Sequence, residues 1–424
     1  MLVSYKKLFK TNYGFYMLLL RLIVLFSFLL VSVASAASVE TVVANFKKDF
    51  RAQLKENKVP GGAYAIIKDG KVIAMEGVGV RALGSNSKVD ENTVFRLASV
   101  SKTFAAGLTA QLVEDQKFNW DDRIVDYIPE FRFKTKNYSS NLTVNHVMSQ
   151  SSSLVHNAYD NLIEANYSMP RIIDKFKEID PMCKLGQCYG YQNVLYSLIQ
   201  PVIEKSTNSS YTDLMHRKIF DPLEMDHSSL GYESFLETEN HAEPHVLTRK
   251  GWVKTRVKPS YYNILPAAGV NASVSDMTKW VMAQMGHYPE AYSANVIDTV
   301  TTKRIRTRKE MRKRNWRSVL KNAHYGYGWR IYDLGGEELV YHGGSVAGFR
   351  SEVAYSKEKD LALVILLNAE TRMGSELNAE FWSEIYKPEP KKQVVKKKVT
   401  KPKKSRFAGS MVPRDKPLTI PSTS

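Results

Sequence analysis

The sequence predicts an α/β (α+β) protein whose sheet is built from both ends of the chain around a mostly helical middle. Near the N-terminal end, Gly62–Ile67 and Lys71–Gly77 flank Asp69-Gly70, a strong hairpin signal, and helical spacing over Ala44–Asn57 precedes them. Near the other end, Gly326–Tyr332, Leu339–Tyr341, Ser351–Tyr355 and Leu361–Leu367 are short apolar or alternating runs parted by Gly or charged turns. Glu370–Tyr386 then reads as a helix. Between these ends, the patterns over Phe104–Gln116, Asn193–Ser206, Ser210–Ile219 and Ser275–Gly286 are helical, several of them opened by Ser, Asn or Thr caps.

With 424 residues, 43% apolar and 11% aromatic, the chain has the material for a large core. Its net charge of +17 is concentrated in segments. Residues 303–321 hold ten Lys/Arg against one Glu, residues 387–424 hold twelve against two acids, and the leader adds Lys6, Lys7, Lys10 and Arg21. The remainder is net acidic, which argues for a catalytic body with basic appendages and against a nucleic-acid partner. A cationic stretch ending at Arg21, the apolar run Leu22–Val33 and the small residues Ala34-Ser35-Ala36 read as a signal peptide over 1–36, cleaved on export to a periplasmic location. An uncleaved anchor is the alternative, although the apolar run is shorter than the roughly 20 residues that span a bilayer.

From Lys387 onward, Lys, Pro, Val and Thr alternate without a period, the composition of a disordered tail. Pro390 and Pro402 suit an extended spacer, and the tail's charge would attract an anionic membrane surface or wall polymer. The run Lys303–Lys321 reads as a solvated charged helix or loop. Cys183 and Cys188, the only cysteines, could form a local disulfide in an oxidising compartment or remain two free thiols.

Ser-x-x-Lys occurs five times, beginning at Ser4, Ser85, Ser99, Ser318 and Ser356, so context must choose. Ser99 follows the alternating stretch Thr93–Leu97 and opens the helical pattern through Phe104 and Leu108. A first helical turn favours developing negative charge. Lys102, three residues on, faces the same side, and a desolvated ammonium beside a hydroxyl tends to lose its proton and become a base. Ser4 lies in the leader, Ser85 in a turn-rich segment, Ser318 in the basic run and Ser356 in a charged turn.

Phe-Arg-Leu-Ala-Ser-Val-Ser-Lys, ending at Lys102, resembles the active-site segment of the serine β-lactamase and penicillin-binding-protein family, in its class C β-lactamase-like branch with the D-Ala-D-Ala carboxypeptidases and esterases. Two further motifs stand in that family's order. Tyr-x-Asn occurs at Tyr159, Tyr191 and Tyr261, but only Tyr191-Gln192-Asn193 leads into a long amphipathic pattern. His-x-Gly occurs at His324 and His342, but only His342-Gly343-Gly344-Ser345 lies between two strand patterns. The segments from Thr143 to Leu154, Ile219 to Ser229 and Pro266 to Met277 resemble others of the family, the first with its usual core altered. The similarity spans about residues 40–386.

The resemblance implies an antiparallel sheet flanked by helices plus a mostly helical lobe. One domain would cover 37–386, with the α/β lobe near 37–103 and 322–386 and the helical lobe near 104–321. It also implies roles. Ser99 is the nucleophile, Lys102 its base, and Tyr191 a proton shuttle to the leaving group. Asn193 bonds Lys102 and a substrate amide, and the backbone N–H groups of Ser99 and Ser345 form an oxyanion hole. Gly343 and Gly344 let the strand edge approach the substrate, and His342 is a substrate-binding donor. The efficient class C β-lactamases carry Lys where this chain has His342, which shifts weight from β-lactams toward peptides ending in D-amino acids or small esters. A binding protein with a vestigial site is the non-enzymatic alternative. No cofactor is implied, and His146, His156, His241 and His245 lack metal-ligand spacing.

Overall fold

The computed structural model describes residues 38–387. The leader expected over 1–36 and, apart from Lys387, the tail expected over 387–424 lie outside them. Asp69 and Gly70 both take positive φ, the conformation a two-residue hairpin turn requires, and they join β1 (Gly61–Lys68) to β2 (Lys71–Gly79). The short strands β3 (Phe95–Arg96), β4 (Ser229–Leu230) and β7 (Val270–Ala272) form a small sheet in the order β3-β7-β4, and β5 (His245–Thr248) pairs with β6 (Gly251–Lys254). The C-terminal part supplies β8 (Ile305–Arg306), β9 (Asn322–Tyr325), β10 (Arg330–Asp333), β11 (Glu338–Val346), β12 (Phe349–Ser356) and β13 (Leu361–Leu367). The main sheet is antiparallel with strand order β2-β1-β13-β12-β11-β10-β9-β8, so β1 docks on β13 and the two chain ends share one sheet.

The sheet is covered on both faces, and the period-2 alternation of its strands shows how. In β13, Leu361, Leu363, Ile365 and Leu367 join an outer core, whereas Ala362, Val364 and Leu366 join an inner one. The outer core is closed by helix α1 (Val39–Glu56), whose Val42, Phe46, Phe50 and Leu54 recur at helical spacing on one face. Ser38 caps that helix by accepting from Thr41 N at 3.3 Å. The C-terminal helix Met373–Ile385 lies beside it, with Phe46 edge-on to Phe381.

Helix α2 (Ser101–Glu114) runs through the inner core and is buried at every residue from Ser101 to Leu112, so it has no solvated face. Phe104 stacks on Trp280 of helix Val274–Met285 at 4.1 Å. That helix packs on β1 and β13, and β8 joins the sheet edge, although both fall within the helical portion expected over 104–321. Burial of an amphipathic face, rather than position along the chain, puts them there.

Local boundaries differ from the sequence reading where turns intervene. The expected strand Gly326–Tyr332 begins only at Arg330, because Gly328 takes positive φ and breaks the run. The pattern after Asn193 opens as a 3-10 turn over Leu195–Leu198 before becoming α-helical at Ile199–Thr207. Cys183 and Cys188 form a disulfide. No helix among the described residues is long and apolar enough to cross a membrane.

Candidate active site

Ser99 sits in a 3-10 turn, Ala98–Val100, that runs directly into α2. Ala98 has φ 49°, a left-handed conformation that an alanine adopts only when its surroundings over-determine it. The restraints are visible on both sides. Leu97 N donates to Val270 O at 3.0 Å, Ser351 Oγ donates to Leu97 O at 2.6 Å, and Val270 N donates to Ser101 Oγ at 2.9 Å. The strain therefore lies in the residue before the nucleophile, clamped between β7 and β12.

Lys102 is fully buried one turn further on. Its Nζ donates to Asn193 Oδ1 at 2.6 Å and to Ala267 O at 3.1 Å, and lies 4.7 Å from the centre of the Tyr191 ring. Desolvation pulls its pKa below the ordinary lysine value, with Tyr191 and Asp160 opposing that shift. The helix carrying Lys102 and the loop carrying Tyr191 and Asn193 are thus joined through the ammonium itself. Asn193 Nδ2 in turn donates to Asp160 Oδ2 at 2.7 Å.

The strand β11 completes the cleft. Its pairing with β10 ends at Arg330↔Tyr341, so from His342 to Val346 the β10-side edge has no strand partner. Val340 and Val346 belong to the inner core and Leu339 and Tyr341 to the outer. By that alternation His342 and Gly344 face inward and Gly343 outward. A Cβ on Gly344 would lie 2.2 Å from Leu97 O, against the Ser99 turn, while one on Gly343 would meet Tyr341 OH at 2.7 Å and Glu352 Oε2 at 3.0 Å on the opposite face. The expected reason for these glycines, access for a substrate, is corrected accordingly: at both positions the space a side chain would need is filled by the protein's own atoms. Ser345 is exposed two residues beyond Gly343.

His342 differs from expectation in the same way. Its Nδ1 is 3.0 Å from Gly343 O and its Nε2 is 3.3 Å from Tyr325 OH. The carbonyl can only accept, so Nδ1 carries the proton and Nε2 accepts from Tyr325. Both nitrogens are engaged inside the protein, leaving neither as the substrate donor that the sequence suggested. Burial, with Arg330 and Lys102 nearby, holds the imidazole well below its usual pKa, and the ring is neutral.

Several residues of this cluster carry no sequence motif. Arg330 on β10 is largely but not fully buried, its guanidinium 5.4 Å from the Tyr191 ring centre and 5.7 Å from that of Tyr325. Glu310 lies 3.4 Å from Arg330 Nε and 2.7 Å from Lys313 Nζ; these cations hold its pKa down at about 2 against the effect of burial. His156 Nδ1 accepts from Tyr191 N at 3.0 Å. It is half-buried in a loop, where no periodic pattern marks it for this role. The run Lys303–Lys321 is not only solvated: Trp316 and Leu320 are buried in the outer core, Trp316 edge-on to Tyr332.

The other motif matches stand elsewhere. His324 lies on β9 among Lys303, Arg306, Glu338 and Asp333, while Tyr159 OH bonds Lys175 O and Tyr261 OH bonds Glu164 Oε1. A groove of about 1020 Å³ on the outer layer, lined by Val43, Lys47, Arg51 and Ile73 among others, contains none of the site residues. Among the described residues no group of His, Cys, Asp and Glu has the arrangement of a metal site.

Behind β11, Glu352 is buried and accepts from Tyr341 OH at 2.8 Å. Desolvation raises its carboxyl to about 7. A raised carboxyl pKa stabilises the fold fully below the ordinary carboxylate range, and that contribution is lost as pH rises through about 7. The loss is roughly 3 kcal/mol. Glu352→Gln keeps an acceptor for Tyr341 without the charge. Its urea midpoint relative to the unsubstituted protein is expected to be higher at pH 8 and to lose that advantage at pH 4.5; equal differences at both values would refute the assignment.

Residues 46–385 match the family model described as Beta-lactamase. The chain is similar to Protein flp of Staphylococcus aureus, 23% identical over 322 residues covering 74% of this chain and 61% of that one. It is also similar to a D-aminopeptidase of Gluconobacter oxydans, 24% identical over 319 residues covering 73% of this chain and 56% of that one. The chain therefore spans less than two thirds of the length of these curated relatives. In three dimensions it resembles the octameric penicillin-binding protein homologue from Pyrococcus abyssi, with TM-score 0.72, 24% identity, and coverage of 81% of this chain and 77% of that one.

Proposed function

The chain belongs to the Beta-lactamase family, a family of serine hydrolases, and on that premise we propose that it is an exported enzyme forming an acyl-enzyme at Ser99 on D-amino-acid-containing peptides or β-lactams. The observation that carries this reading is Lys102: fully buried, hydrogen-bonded to Asn193 and Ala267 O, and lowered in pKa beside Tyr191. A structural lysine has little reason to be desolvated there, whereas a general base does.

The chemistry follows from the positions. Ser99 Oγ attacks the carbonyl carbon and its proton passes to the neutral amine of Lys102. The carbonyl electron pair becomes an oxyanion, held by the N–H groups of Ser99 and Ser345. Collapse expels the amine or alkoxide, which takes the Tyr191 proton, and Lys102 returns a proton to Tyr191. Water then attacks the acyl-enzyme through the same groups and regenerates Ser99.

The neutral His342 supports placing peptides ahead of β-lactams, because no cation stands at position 342. Besides Lys102, positive charge beside Tyr191 comes from Arg330, 5.4 Å from its ring centre. The similarity to a D-aminopeptidase points the same way. Small esters are a second reading, favoured by the same substitution at 342, since ester cleavage demands less of the leaving-group proton donor.

Turnover of a D-Ala-D-Ala peptide, a short-chain ester and a chromogenic cephalosporin, measured side by side, tests the proposal. The peptide or ester is expected to exceed the cephalosporin, and Ser99→Ala to remove at least about 10³-fold of whichever activity is found. Activity unchanged in Ser99→Ala would overturn the mechanism. An N-terminus at Ala37 in protein recovered from the cell envelope checks export, and an intact Met1 there would refute cleavage.

A further inference from the structure

The basic run Lys303–Lys321 is anchored to the sheet at several points, one of which leads to the active site. Ile305 and Arg306 pair with β9, Trp316 and Leu320 are buried in the outer core, and Glu310 bonds Tyr332 and lies against Arg330, which abuts the Tyr191 ring. A segment held at these points is not a free charged loop. Its cations are nevertheless turned outward: Arg308, Lys309, Arg312, Arg314, Arg317 and Lys321 are exposed and have no carboxylate within ion-pair distance among the described residues. Lys303 and Lys313, by contrast, pair with Glu338 and Glu310.

The segment reaches toward the catalytic groups through Glu310, whose partner Arg330 lies 5.4 Å from the Tyr191 ring centre. Lys309, one of the unpaired cations, also bears on His156, whose ring accepts from Tyr191 N. Unpaired charges of one sign repel one another, so a fold keeps them together at a small cost that a ligand of opposite sign offsets. Beside a low-dielectric cleft such a patch also concentrates anions and steers them in, with rate gains of about 10- to 10³-fold at low salt.

The geometry points to a cationic lip on the cleft, formed by the exposed cations that flank Glu310 (Arg308, Lys309, Arg312 and Arg314), that selects acidic substrates: acyl compounds carrying several carboxylates away from the scissile bond. This rests on the acyl-enzyme reading of Ser99. It adds what that reading lacks, the charge class of the substrate, and it gives a role to unpaired cations in a catalytic body whose remainder is net acidic.

Two fluorophosphonate probes with the same reactive head, one on a neutral linker and one on a triglutamate linker, test it on the full chain. In 20 mM salt the triglutamate probe is expected to label Ser99 at least about 10-fold faster than the neutral one, and in 0.5 M salt the two rates converge. The variant Arg308→Gln/Lys309→Gln/Arg312→Gln/Arg314→Gln should lose this advantage while the neutral probe's rate stays within about twofold, since all four side chains are exposed. Equal rates for both probes in the unsubstituted protein, or an advantage that survives in the variant, would overturn the lip. Absence of labelling by either probe would instead remove the acyl-enzyme reading, and the lip with it.

Discussion

Replacing Lys102 by Met lowers the rate of Ser99 acylation by about 10³-fold and leaves the protein folded. The rate falls because no other group offers a basic nitrogen from the same helical face: His342 is neutral but has both nitrogens engaged, and Arg330 does not lose its proton. The fold survives because two effects oppose each other. The substitution leaves Asn193 Oδ1 and Ala267 O without their donor, which costs stability, but it also removes a cation from a site with no access to water. The thermal midpoint should therefore move little. The pH profile carries the sharper sign. In the unsubstituted protein, acylation rises with pH as Lys102 deprotonates, at values below the ordinary lysine range because its pKa is lowered. Lys102→Met should abolish that rise, and Lys102→Arg should not restore it. A fluorophosphonate labelling rate unchanged in Lys102→Met would exclude the lysine as base.

Much of this arrangement could be read from residues alone, for identifiable reasons. The bounds of β13 were legible because its seven residues are buried on both faces and end at charged turns. Ser99 stood out from five equal matches because the residues before it alternate and those after it are helical. Tyr191, Asn193 and His342 were singled out through order along the chain. The missed residues share a different property: their partners are distant, and nothing local marks them. Arg330 is one arginine among many until Glu310, twenty residues earlier in a basic run, is seen beside it. Asp160 opens a short helix and His156 lies in the loop before it, and each acts through one side-chain hydrogen bond. The direction each glycine of β11 faces was also hidden, since it depends on register with β10 and β12 rather than on composition.

That register separates two substitutions that look equivalent in sequence. Gly344→Ala places a methyl 2.2 Å from Leu97 O and 2.2 Å from Ser351 Oγ, and the first of these is backbone that cannot turn aside. Either β11 or the Ser99 turn must shift. Both carry oxyanion donors in the proposed mechanism, so their spacing changes. A displacement of about 1 Å at such a site costs on the order of 10²-fold in rate. Gly343→Ala meets Tyr341 OH and Glu352 Oε2, which are ends of side chains on the far face, and their hydrogen bond can lengthen or turn to make room. Its expected cost falls on stability, with kcat/KM reduced less than about fivefold. Measured together, labelling rates and urea midpoints should show Gly344→Ala losing activity out of proportion to stability and Gly343→Ala the reverse. If both variants lose activity equally, the Ser99 turn does not rest on the inner face of β11, and the oxyanion hole must be built from other donors.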